Sequence, residues 1–152
     1  MHILFTRPLE DSKEIISRFQ NLGHKVSHLP VLNIIEKKHE EINFSSYSAV
    51  IFTSANSIKY LKSNDIDKNI ICFCVGEATE RKASSFGFQN IFSAEGNVHN
   101  LKEIILRNFS PKNGNLLYVS GETITIELDK KLMLEGYKVD RIVNYSSEFN
   151  EN

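Results

Sequence analysis

Ala49-Val50-Ile51-Phe52-Thr53-Ser54-Ala55-Asn56-Ser57 decides the fold. Four apolar residues in a row read as a strand covered on both faces, as strands in parallel sheets are. A polar exit loop, Thr53 to Ser57, follows, and then Ile58 and Leu61 at the spacing of an inward helix face. Downstream the same unit recurs. Ile70 to Val75 reads as a strand, Glu77 to Phe86 as a helix and Gly87 as its cap. Asn90-Ile91-Phe92 is a short strand, and Val98 to Phe109 a helix with Leu101, Ile104, Ile105 and Phe109 on one side. Asn115 to Val119 is a strand, Glu122 to Glu135 a helix capped by Gly136, and Tyr137 to Val143 a last strand. Five strands alternating with four helices predict a mostly parallel sheet with helices on both faces.

Upstream, His2-Ile3-Leu4-Phe5 reads as a strand, Leu9 to Leu22 as a helix closed by Gly23, and Lys25 to Leu29 as a second strand. A polar connection, Glu36 to Ser46, separates this βαβ piece from the rest. Two strands and one helix bury too little apolar surface to fold alone. Either they extend the downstream sheet to seven strands, or they are half of a second domain.

The 152 residues suffice for one ordinary domain or two small ones. With 18 Lys and Arg against 19 Asp and Glu, the net charge is -1 and neither end forms a charged tail, which argues against nucleic acid as a partner. No apolar run approaches the roughly 20 residues of a membrane span, so no membrane partner is expected. Arg7 and Pro8 interrupt what would be the apolar core of a secretory signal, and a cytoplasmic location is expected.

Open parallel sheets bind ligands outside the carboxyl ends of their strands. The exit loops there are Thr6-Arg7-Pro8, Thr53-Ser54-Ala55-Asn56, Val75-Gly76-Glu77-Ala78-Thr79, Ser93-Ala94-Glu95-Gly96 and Ser120-Gly121-Glu122-Thr123. All are small and polar, so a ligand can reach backbone N–H groups and helix N-termini that favour anions. Ser, Thr and Asn are also the preferred N-caps, so each residue alone has a purely structural reading. Arg7 at a strand end can pair with a carboxylate or phosphate, or with a local acid. Tyr145, just past the last strand, offers a phenol over the cleft or an aromatic anchor at the sheet edge.

Several familiar sites are excluded. The first βα turn is not glycine-rich, and no Walker-type Gly-Lys-Ser/Thr is present. Thr6 and Thr53, not acids, stand where a phospho-acceptor would. Cys72 and Cys74 alternate in a strand and point to one face, where free cysteine packs in the core. His24 and His28 are four strand residues apart, roughly 13 Å, too far to share a metal. The remaining histidines are isolated, and no metal site is expected.

Five pieces together resemble the uroporphyrinogen-III synthase family. They are Ile3-Leu4-Phe5-Thr6-Arg7-Pro8; Gly23-His24-Lys25-Val26 with Leu29-Pro30; Phe52 to Ser57; Val75 to Thr79 with Gly87; and Leu116 to Gly121, followed by Leu128, Leu132, Gly136 and Val143-Asn144-Tyr145. The resemblance implies two α/β domains joined by a two-stranded link, the first built from both ends of the chain. On that pattern residues 1–33 are the N-terminal βαβ piece of the first domain. Residues 36–143 are a complete inserted, three-layer, flavodoxin-like domain of five parallel strands, and 144–152 begin the return link. The rest of the first domain is then expected to be absent, leaving an exposed edge that favours self-association.

The activity the resemblance implies is the cofactor-free, dehydrating cyclisation of hydroxymethylbilane to uroporphyrinogen III with inversion of ring D. It places Tyr145 and Thr79 as catalytic residues. Arg7, Ser54, Ala55, Asn56, Gly76, Glu77, Gly121 and Glu122 line the substrate cleft. Because the first domain is incomplete on this pattern, the chain is expected to be weak or inactive alone. The alternative is a non-catalytic α/β module that binds a polyanionic small molecule.

Overall fold

The computed structural model describes residues 2–5, 14–15, 17–18, 20–23, 25–28, 32–61 and 66–149. The chain divides into two compact units, one of Met1–Ile35 with Ser146–Asn152, the other of Glu36–Tyr145.

In the first unit, β1 (His2–Phe5) and β2 (Lys25–His28) pair in parallel, with His2 opposite Lys25 and Phe5 opposite His28. Described residues between them are helical at 14–15, 17–18 and 20–21, and Gly23 ends that stretch at φ 85°. Among the described residues β1 and β2 pair only with each other, in a two-stranded sheet.

The larger sheet has six strands in the order β3-β8-β7-β4-β5-β6. Its members are β3 (Leu32–Glu36), β4 (Ala49–Phe52), β5 (Ile71–Val75), β6 (Asn90–Ala94), β7 (Leu116–Gly121) and β8 (Val139–Phe149). The expectation of five strands is corrected on this point: the sequence reading assigns no element between Pro30 and Glu36, where β3 lies. The last strand is also longer than expected, running past Val143 to Phe149. With β4 counted as the first, the five expected strands lie 3-2-1-4-5 from β6 to β8, so the direction of winding reverses between β4 and β7. β4 pairs with β5 and β7, β5 with β6, and β7 with β8, all in parallel.

Alternation along the strands builds two cores. Ile51, Phe73, Leu116 and Tyr118 face α3 (Val98–Asn108) and α4 (Leu128–Leu134), which contribute Leu101, Ile105, Leu128 and Leu132. Val50, Phe52, Cys72, Cys74, Leu117 and Val119 face the other way, toward Ile58 of α1 (Ala55–Lys59) and Ala83 of α2 (Glu77–Phe86). Every residue of β4 is fully buried, as a central strand covered on both faces must be. This is the three-layer α/β core that the sequence pattern predicts, with its strands in the order 3-2-1-4-5 where the flavodoxin order is 2-1-3-4-5.

The helix expected from Glu122 begins only at Leu128. Thr123-Ile124-Thr125-Ile126 are all β-branched, and each loses side-chain freedom against a preceding helical turn. Residues 122–127 are therefore a loop at the end of β7.

Candidate functional site

The parallel registers put the carboxyl ends of β4, β5, β6 and β7 on one edge of the sheet. Ser54, Gly76 and Gly121 therefore share a rim. Ser54 caps α1, its Oγ accepting from the Asn56 N–H at 3.2 Å, while its carbonyl accepts from the Ser57 N–H. Ala55 and Asn56 open the helix and are half-buried. Gly76 precedes α2 at φ 87°, ψ 154°, and a β-carbon there would meet nothing within 4 Å. The backbone angle, not crowding, explains glycine at this position. Its N–H donates to the Ala94 carbonyl at 3.0 Å. It supplies no side-chain cap, so the first amides of α2, at Glu77 and Ala78, have no intrahelical acceptor. Glu77 and Glu80 stand in that first turn and offset the helix dipole, making this part of the rim acidic. Thr79 is 5% exposed and lies inside the turn, beneath the rim surface.

The β7–β8 end is more constrained. Ser120 lies opposite Val143, but Gly121 lies opposite Tyr145, so Asn144 is an extra residue in β8. Asn144 is fully buried, and its Nδ2 donates to the Ser57 carbonyl at 2.8 Å, tying β8 to α1. Its own carbonyl accepts from the Lys37 N–H at 2.9 Å. The bulge brings the Tyr145 ring against Gly121, where an added β-carbon would fall 2.6 Å from Tyr145 Cζ. The Glu122 N–H donates to the Tyr145 carbonyl at 2.9 Å, closing the turn.

Arg141, opposite Tyr118 in the register, reaches along the sheet to this same turn. Its Nε donates to Ser120 Oγ at 2.8 Å, and its Nη2 donates to the Gly121 and Glu122 carbonyls at 2.8 and 3.1 Å. The Glu122 carboxylate is held by Lys37 at 2.7 Å. Tyr118 and Thr53 share a hydroxyl hydrogen bond at 3.1 Å. Burial pushes the Tyr118 phenol up from its ordinary value; the Thr53 bond and the Arg141 charge act against this, and Asp129 and Tyr145 add to it.

Of the expected site residues, Ser54, Ala55, Asn56, Gly76, Glu77, Gly121, Glu122 and Tyr145 all fall on or beside this rim. Thr79 lies behind it, and Arg7 lies outside the described residues. Lys37, Arg141 and Asn144 were not anticipated. Cys72 and Cys74 are fully buried, and burial is the largest cause raising both thiols. Among the described residues no cluster of three or more His, Cys, Asp or Glu is placed to hold a metal ion, and no helix is long and apolar enough to cross a membrane. A hollow of about 220 Å³ between α1 and α2, lined by Ile58, Lys59, Leu61, Lys82, Ser85 and Phe86, opens near the C-terminal ends of those helices, away from the rim.

The family profile described as uroporphyrinogen-III synthase HemD matches residues 13–152. No match is found among curated protein sequences. The fold is similar to that of uroporphyrinogen-III synthetase from Helicobacter pylori 26695, with a TM-score of 0.68 and 17% identity, over 99% of this chain and 63% of that one. A mutant uroporphyrinogen III synthase from Thermus thermophilus gives a TM-score of 0.57 at 12% identity, over 99% and 64%. The wild-type Thermus enzyme gives 0.52 at 14%, over 99% and 63%. The chain thus spans less than two thirds of the length of these relatives.

Proposed function

Because the chain belongs to the uroporphyrinogen-III synthase family, we propose that its rim is one side of a cleft for hydroxymethylbilane, which cyclises there to uroporphyrinogen III with ring D inverted. The observation that carries this reading is the Tyr145 ring, turned by the β8 bulge onto Gly121 at the carboxyl edge. In the family reaction the terminal hydroxyl leaves as water, the resulting azafulvene cation closes to a spiro intermediate, and that intermediate rearranges. Water leaves and no electrons are transferred, so the chemistry calls for no redox cofactor.

Tyr145 takes the role of hydrogen-bond donor to the departing hydroxyl. The substrate's carboxylates are met by backbone N–H groups at Ala55, Glu77 and Ala78 and by the Ser54 and Asn56 side chains. Glu77 and Glu122 bound the cleft, the Glu122 carboxylate paired with Lys37. Thr79, buried behind Gly76, supports the loop from within. Much of the rate then comes from holding the bilane folded so that ring D reacts at the correct carbon.

The test is incubation of the chain with freshly prepared hydroxymethylbilane and chromatographic separation of the isomers. Isomer III above the spontaneous background supports the reading. Isomer I alone rejects it, and saturable bilane binding without isomer III assigns the chain to the non-catalytic alternative.

A further inference from the structure

Arg141 is half-buried, and at the carboxyl end of β7 its guanidinium is held by three neutral acceptors, Ser120 Oγ and the carbonyls of Gly121 and Glu122. These occupy Nε and Nη2. Nη1 has no hydrogen-bond partner among the described residues, and no carboxylate there lies within 4 Å of the group. Glu122 offers Arg141 only its carbonyl, while its carboxylate is paired with Lys37. Asp129 acts on the neighbouring Tyr118 phenol alongside Arg141 but makes no ion pair with it.

A fixed guanidinium without a counter-charge is costly when water is partly excluded. Its planar fork fits carboxylate geometry, and prior anchoring of Nε and Nη2 lowers the entropy lost when Nη1 binds a ligand. The Gly121 and Glu122 carbonyls that hold Arg141 belong to the turn against which the Tyr145 ring packs. We propose that Arg141 is a carboxylate anchor of the rim, its Nη1 donating to one acid arm of a polycarboxylic small molecule beside Tyr145. This deepens the reading given under Proposed function and rests on it.

Uroporphyrin III, the oxidised octacarboxylate, is a fluorescent probe that binds without turnover. Arg141→Met is expected to weaken its binding roughly tenfold or more, as loss of a charge-assisted bond does, with Arg141→Lys intermediate. Equal affinity in all three proteins overturns the proposal, as does absence of probe binding by the unaltered chain. Should Arg141→Met fail to fold, guanidinium NMR of the unaltered chain decides: the Arg141 Nη1 protons shift on adding probe if the anchor is real and stay in place if it is not. The isomer assay on the same samples separates the two readings. Isomer III formed with KM unchanged by Arg141→Lys overturns the anchor alone. Probe binding that depends on Arg141, with no isomer III, overturns the catalytic reading and leaves the anchor standing.

Discussion

The aromatic ring of Tyr145 occupies the space that a side chain at Gly121 would need, with 2.6 Å from the would-be β-carbon to Cζ and 2.9 Å to the phenolic oxygen. Gly121→Ala therefore forces the ring off the rim. Overpacking of this kind costs about 1–3 kcal/mol, which urea denaturation will show. Removing the ring in the double variant Gly121→Ala/Tyr145→Ala should restore most of what Gly121→Ala loses relative to Tyr145→Ala. A Gly121→Ala protein as stable as the original would mean that the ring lies elsewhere.

Tyr145→Phe keeps the ring and removes only the hydroxyl. Stability should stay within about 0.5 kcal/mol of the unaltered chain, since the half-buried phenol has no side-chain hydrogen bond among the described residues. Formation of isomer III should fall by about two orders of magnitude, the usual contribution of a positioned proton donor. Unchanged turnover would remove Tyr145 from that role.

Asn144 ties the bulge to α1 through a buried bond to the Ser57 carbonyl. Asn144→Ala leaves that carbonyl without its side-chain donor and should cost about 1–3 kcal/mol. Asn144→Asp should cost more, because it sets a carboxylate against a carbonyl out of reach of water. Thermal unfolding of the two variants checks the order.

Tyr47 donates to Asp140 Oδ2 at 2.7 Å, and burial, that bond and the Asp140 charge, in this order, push its phenol up from 10.0 to about 12. The unfolded chain releases this proton near pH 10 and the folded chain near pH 12. The folded state binds more protons in between, so the stability contributed is complete below pH 10 and is lost as pH rises through 12. Tyr47→Phe should remove that part of the alkaline decline. The difference in Tm between the two proteins will narrow over this window if the bond exists and will stay flat if it does not.

Cys72 and Cys74 are sealed in the core on the α1–α2 side of the sheet. Neither thiol should react with an aromatic disulfide reagent at neutral pH in the native protein, and both should react in urea. Rapid labelling of the native chain would place them nearer the surface.

Helix α2 was legible to the residue because glycines bracket it, Gly76 before Glu77 and Gly87 after Phe86, the latter at φ 115°. The apolar run at Ala49 gave β4 for a related reason: burial on both faces leaves no polar position to blur the pattern. β3 was missed because Asn33 and the flanking polar connection hide a short strand whose described residues are largely exposed. The rim loops could be placed on one edge from strand alternation alone. Arg141 could not be found, since its partners are backbone carbonyls and a serine some 20 positions away, and no residue pattern records a bond to a carbonyl. Thr79 was read as a cleft hydroxyl, but the helical turn rotates it inward, a matter of phase that spacing from a glycine does not fix.

Lys37 and Asn144 stand at opposite ends of a 110-residue unit and are joined there by a backbone hydrogen bond. The polypeptide enters and leaves that unit through a single doorway. Such a cassette can be spliced into a host loop at an entropic cost that grows only with the logarithm of its length. It can equally be closed into a ring by a short peptide between those two positions and reopened at a surface turn, with its sheet order preserved.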